Sequence, residues 1–251
     1  MTADMLHAGL GWPIAAALIV LSFLGSFITA AFGIGGGAVL IAVFATLLPA
    51  AAIIPVHGLV QLGSNVGRAV LTFAHIHWVV VLPFLIGSVV GIAFGSAFVI
   101  QLDAGMIQIG VGLFILWSIL MPPPAFMRRS ASVAGTISSF LTMFFGATGP
   151  FIAAFVKAQG LERMGHTATH ATLMTIQHTL KTIAFGFLGF AFSLWAGLIA
   201  LLVVSGFLGT IVGRHVLMRV NETVFRFTLN LILAALALRL IYAGSVSVFG
   251  G

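Results

Sequence analysis

Arg68 and Lys181 each interrupt a long apolar run, where a charge needs a reason. A cation at the centre of a membrane helix costs about 2.5–3.5 kcal/mol on insertion scales, so it normally lines a cavity or a pathway. The alternative is a long side chain snorkelling from a helix end to the interface. The chain has only four acidic residues, and Asp4, Asp103, Glu162 and Glu222 all fall in predicted tails or loops. A buried cation without a fixed counter-charge calls for something mobile and negative, or for carbonyls and water to satisfy it. That asymmetry points to an anion as the species bound. It argues against a sodium or metal-cation carrier, which would place carboxylates inside the spans.

The cations do not stand alone. His57, Gln61, Asn65 and Arg68 step along one predicted helix by four, four and three residues. Eleven residues make almost three whole turns, so His57 and Arg68 share a face about 16 Å apart. In the second half His170, His178 and Lys181 take the same register, with Met174 in the place of Gln61 and Gln177 beside it. A polar face on an apolar helix must point at another helix or at water. For Asn65, Gln61 and Gln177, interhelical hydrogen bonding is the competing role, worth about 0.6 kcal/mol per contact. His57 and His170 titrate near neutrality, which makes them candidates for proton coupling; a structural role is the alternative. A metal site is disfavoured, since HTATH lacks the glutamate of HExxH and no cysteine or nearby carboxylate completes a shell. No cofactor is expected.

The register match belongs to a duplication. Residues 26–37, SFITAAFGIGGG, recur at 139–150 as SFLTMFFGATGP, with Ser26/Ser139, Phe27/Phe140, Thr29/Thr142, Phe32/Phe145, Gly33/Gly146 and Gly36/Gly149 identical at one constant offset. The same offset carries His57 onto His170 and Arg68 onto Lys181. In the first copy Gly33, Gly35, Gly36 and Gly37 tolerate unusual backbone angles and let another group approach closely. In the second, after Gly146, Thr148 could cap the helix that starts at Gly149, and Pro150 suits its first turn. Each copy thus places a helix start at a chain break, where free N–H groups and the positive dipole end attract anions. A plain kink or a tight helix crossing would use the same small residues. No GKS or GKT follows either turn, so neither is a P-loop.

Composition decides what must hold these residues. The 251 residues are 61% hydrophobic and 6% charged, against about a quarter charged in a soluble domain. The net charge of +6 is scattered singly or in pairs, which reads as membrane topology rather than nucleic-acid binding. With no cysteine there are no disulfides and no thiolate chemistry. The N-terminus lacks a basic n-region, so the first apolar run is expected to remain as a helix. Apolar runs at about 12–32, 38–52, 55–73, 78–100 and 105–121, then 131–146, 150–159, 167–192, 195–217 and 223–243, predict an all-α polytopic membrane protein of two five-segment repeats. The halves are residues 1–121 and 131–251, joined by a linker at 122–130. The runs at 38–52 and 150–159 are too short to span comfortably, and short Gly/Pro-interrupted segments at matching positions mark a transporter's site. Whether they cross fully or turn back as re-entrant arms, each repeat crosses an odd number of times, so the second is inverted. Arg128-Arg129, Lys157 with Arg163, and Arg214 with Arg219 then share one side, the cytoplasm. Both termini face outward.

These motifs resemble the TauE/SafE family of sulfite exporters and related permeases for organosulfur anions. The resemblance rests on the GxGGG break at Gly33–Gly37, its degenerate copy at Gly146–Pro150, and the downstream polar residues Asn65 and Arg68. It implies an inverted-repeat permease of the bacterial inner membrane for sulfite, a sulfonate or a similar small anion. The reading of the residues is a secondary transporter working by alternating access around a midplane site. The glycine turns, Thr148, Asn65, Gln177, Arg68 and Lys181 would wall that site. An anion channel, a passive membrane subunit and a His-metal membrane protein are the competing readings. An enzyme is not expected, because no nucleophile–base pair or metal cluster is evident.

Overall fold

The computed structural model describes residues 6–33, 35–99, 103–216 and 222–249; Asp4 and Arg219 lie outside them. Among the described residues there are no strands and ten helices of ten residues or more. The first half holds α1 (Trp12–Phe32), α2 (Gly36–Leu47), α3 (Ala50–Leu71), α4 (Val81–Phe98) and α5 (Ala104–Leu120). The second holds α6 (Ala131–Phe145), α7 (Gly149–Ala158), α8 (Arg163–Phe187), α9 (Ala196–Val216) and α10 (Glu222–Phe249). All ten expected segments are present, and the helix starts have local causes. Pro13 sits in the first turn of α1, while the Asp103 carboxylate and the Ser130 hydroxyl accept from Met106 N–H (2.8 Å) and Val133 N–H (3.4 Å) to cap α5 and α6.

Some boundaries differ from the sequence expectation. Helix α3 starts at Ala50 instead of 55 and carries Pro55 near its N-terminal end, where few intrahelical N–H bonds are lost. Helix α10 runs on to Phe249, past the apolar run, because Gly244 packs directly on the backbone of Gly105 and Ile109 in α5. Helices α2 and α7 have 12 and 10 residues, about 18 and 15 Å at 1.5 Å per residue, so neither alone crosses a hydrocarbon core of about 30 Å.

The fold is turned inside out relative to a water-soluble protein. Val79, Phe94, Leu120, Phe187 and Leu194 are exposed, whereas Ser138, Ser139, Thr142, Asn65, Gln177 and both interior cations are buried. Among the described residues, four helices, at Trp12–Phe32, Trp78–Phe98, Phe192–His215 and Phe227–Phe249, are long and apolar enough to cross a bilayer.

Helix pairing follows the duplication. The most extensive contacts join α1 to α9 and α4 to α6, that is, the first helix of each half to the fourth of the other. The fifth helices, α5 and α10, pair with each other, and so do the third, α3 and α8. Close approach comes from small residues, as expected where apolar burial gives helices no advantage over lipid. A Cβ on Gly87 or Gly91 of α4 would overlap the carbonyls of Ser132 or Thr136 in α6, and one on Gly209 of α9 would overlap that of Phe23 in α1. Polar ties add to this: Ser22 Oγ donates to Leu202 O and Ser205 Oγ to Ile19 O, both at 2.7 Å. The polar helices α3 and α8 are thereby enclosed at the centre, beside the starts of α2 and α7.

Candidate functional site

Both glycine breaks are tight backbone reversals. Gly33 ends α1 at φ +87°, Gly35 precedes α2 at φ +107°, and Gly146 ends α6 at φ +75°. These conformations suit glycine and strain other residues. Gly36 is needed for space instead: a Cβ there would fall on the Gly25 carbonyl and the Thr29 hydroxyl of α1. The second break is held by aromatic packing, with Phe114 of α5 stacked on Phe145 at 4.8 Å and on Phe151 at 5.5 Å between ring centroids.

Between the two breaks lies a small cavity of about 30 Å³, room for a water molecule or two. Gly35 and Gly37 border it from the first break, Gly146, Ala147, Gly149 and Pro150 from the second. Arg68, His57 and Gln61 reach it from α3, and His170 and Met174 from α8. Residues far apart in both halves therefore converge on one point. Gln61 lies against Gly37, where a Cβ would leave it no room.

Arg68 is 4% exposed and has an uneven set of partners. Its Nη2 donates to Asn65 Oδ1, and Asn65 is itself held by donating from Nδ2 to Gln61 O at 2.7 Å. Nε and Nη1 are buried and without a partner. Of the acidic residues whose side chains are described, Asp103 caps α5 and Glu162 precedes α8; neither lines the cavity. One of the three guanidinium nitrogens is thus held by an amide, with the other two unpartnered and no described carboxylate lining the cavity beside them.

The histidines repeat one arrangement. His57 Nε2 meets Gly37 O at 3.0 Å, and His170 Nε2 meets Gly149 O at 3.3 Å. A carbonyl only accepts, so each ring donates from Nε2, which leaves Nδ1 as the titrating position. Both Nδ1 atoms are buried without a partner. Each central helix is thereby tied by its histidine to the start of the short helix in its own half.

Not every expected residue reaches the cavity. Gly33 lines a larger vestibule next to it, and Gly36 is taken up by the α1 contact. Asn65 acts through Arg68. Thr148 stands at the helix start as expected but does not cap it. Its backbone, at φ −83° and ψ 4°, lacks the extended conformation of a cap residue, and its hydroxyl donates to Oε1 of the wholly buried Gln177 at 2.7 Å. Gln177 in turn donates to Ser138 Oγ (3.0 Å) and Ser139 Oγ (3.2 Å), bracing α8 against α6. Lys181 is fully buried. Its Nζ donates to Thr142 Oγ1 at 3.2 Å, and its Cε passes over Gly58, where a Cβ would stand 2.7 Å away. Lys181 is not among the residues that line the cavity.

Two residues gain weight from the structure. His178, which occupies the register position of Asn65, has both ring nitrogens buried without partners and lies 6.0 Å from the His57 ring. It links the Lys181 side of α8 to the cavity. Gly58 clears the path of Lys181. His178 was visible as one more polar residue on the α8 face; Gly58 carried no signal, since glycines are common throughout the chain.

The sequence model of the TauE/SafE sulfite exporters matches residues 18–240, which takes in both breaks, both central helices and the whole cavity lining. Comparison with curated proteins and with solved structures found no significant match. With interior polarity, apolar exterior and this match together, the chain is a multi-pass membrane protein that belongs to the TauE/SafE sulfite exporter family.

Proposed function

We propose that the chain is a secondary transporter of a small oxyanion, sulfite or an organosulfonate, working by alternating access around the cavity beside Arg68. The observation that carries this reading is the uncompensated guanidinium: buried, aimed by Asn65, with Nε and Nη1 unpartnered at a cavity that no described carboxylate lines. Unpartnered N–H groups on a buried guanidinium suit an oxyanion, in charge-assisted hydrogen bonds about twice as strong as neutral ones. The starts of α2 and α7 face the same point from opposite halves and add their dipole ends. Gly35, Gly37, Gly146 and Gly149 let those backbones come close to the substrate, and Gly36 packs the α2 start against α1. Thr148, Gln177 and Lys181 hold the second break in shape, and Lys181 contributes positive potential without contact.

A cavity of about 30 Å³ is too small for a hydrated oxyanion, so transport requires the breaks to move. The exchange of partners between halves, first with fourth, third with third and fifth with fifth, supports an inverted repeat whose parts rock about the central pair α3 and α8. His57 and His170 couple protons: a proton at Nδ1 turns each ring into a second donor toward the anion. The exposed Arg128, Arg129, Lys157, Arg163 and Arg214 support a cytoplasmic linker side in a bacterial inner membrane, with both termini outside. Uptake of radiolabelled sulfite into proteoliposomes tests the reading. Arg68→Gln is expected to abolish saturable uptake, and wild-type uptake by that variant would exclude Arg68 as the site.

A further inference from the structure

The vestibule next to the cavity has a chemistry that its counterpart in the other half lacks. It encloses about 790 Å³ on the linker side, and Lys157, Arg163 and His166 line it together with Ser118, Gly33 and Pro150. Pro150 borders both spaces, so the vestibule ends where the cavity begins. His166 stands one helical turn before His170 with the two rings parallel, 6.2 Å between centroids and 4° between planes. Its Nε2 meets Ala153 O at 3.3 Å. Basic and imidazole groups therefore run in sequence from the mouth at Lys157 and Arg163, through His166 and His170, to Arg68.

The duplication supplies an internal control. The repeat places Phe44 opposite Lys157, Ala50 opposite Arg163, Ile53 opposite His166 and Ile54 opposite Thr167. A second cavity, of about 450 Å³, lies against that stretch and is bordered by Ala50, Ile54, Pro55, Phe144, Phe185 and Phe190. Among the described residues no basic or acidic side chain lines it. At related positions of the two halves, one mouth is cationic and the other apolar. On the cationic side the nearest described carboxylate in sequence is Glu162, exposed and outside the vestibule lining.

Resting on the transport reading above, we propose that the vestibule is a separate capture station for small oxyanions, built on Lys157, Arg163 and His166, which makes the linker face the loading face. A cleft lined by one sign of charge concentrates counter-ions and speeds their entry by about 10- to 1,000-fold. An apolar mouth does neither, so an anion that passes the cavity leaves there without being held. The asymmetry acts on KM at one face and leaves the inner site untouched.

The test is initial-rate flux of radiolabelled sulfite measured from each face of proteoliposomes, with orientation scored by a thiol label on a single cysteine placed in the cysteine-free linker. Lys157→Gln/Arg163→Gln is expected to raise KM about tenfold at the linker face, the lower end of the range for a charged cleft. KM at the opposite face should stay unchanged. The difference should fade in 0.5 M potassium gluconate, where screening reaches only a few ångströms, about 4 Å. Charge-retaining Lys157→Arg/Arg163→Lys should behave as wild type. An equal KM change at both faces, or none, overturns the capture station while Arg68→Gln remains inactive. Wild-type flux through Arg68→Gln instead removes the inner site, and this proposal falls with it.

Discussion

Replacing Asn65 by aspartate would supply the counter-charge that the cavity lacks, at almost constant shape. Asn65 Oδ1 already accepts from Arg68 Nη2, so a carboxylate there keeps that bond and makes it an ion pair. Beside a guanidinium the new carboxylate stays ionised. A bound oxyanion on the far side of the guanidinium would sit roughly 6 Å from that carboxylate, given two hydrogen bonds and the planar group between them. At an effective dielectric of about 20, that like-charge pair costs about 2.8 kcal/mol. The result is a loss of about a hundredfold in affinity. Titration calorimetry of detergent-purified protein with sulfite measures it directly, alongside the unliganded melting temperature. Asn65→Asp is expected to fold as well as wild type and to bind sulfite about a hundredfold more weakly, since pairing a buried charge removes a cost instead of adding one. Wild-type affinity in this variant would show that the anion does not rest on an unneutralised Arg68.

Two further substitutions separate architecture from transport. Gly36→Ala would drive a Cβ into the Gly25 carbonyl of α1, a backbone atom that cannot swing aside, and should destabilise the protein by about 1–3 kcal/mol, read as a lowered melting temperature and poor yield. An unchanged melting temperature would contradict the close α1–α2 contact. His170→Gln keeps an N–H donor for the Gly149 carbonyl but has no titrating nitrogen. Sulfite affinity at fixed pH should hold within about twofold, a few tenths of a kcal/mol, while accumulation driven by a proton gradient is lost; gradient-driven accumulation at the wild-type level would remove His170 from the coupling path.

Much of the architecture was legible because lipid imposes simple rules. Runs of apolar residues gave all ten helices, and the two short ones were marked by the glycines before them. Boundaries were misjudged where tertiary packing overrode hydropathy, as at Gly244, whose contact with α5 carries the last helix on to Phe249. At the site, the duplicated register identified Arg68, His57 and His170 as partners of the glycine turns, and all three line the cavity. The same symmetry argument put Lys181 at the cavity, where it is absent from the lining. The cause is local: Thr142 accepts its ammonium and Gly58 opens a course for its stem, and neither feature is readable from the spacing of charges. Thr148 shows a similar limit, since a residue type suited to a cap also needs the extended backbone of one, and Thr148 stands at φ −83° and ψ 4°.

The account rests on an oxyanion meeting Arg68 between the two glycine breaks. Crystals grown with selenite, a heavier analogue of sulfite with an anomalous signal, test this most directly. The expected result is a selenium peak beside the Arg68 guanidinium, its oxygens within hydrogen-bonding reach of Nε or Nη1, bordered by Gly37 and Gly149. Ordered crystals with selenium sites elsewhere and an empty Arg68 cavity would contradict it.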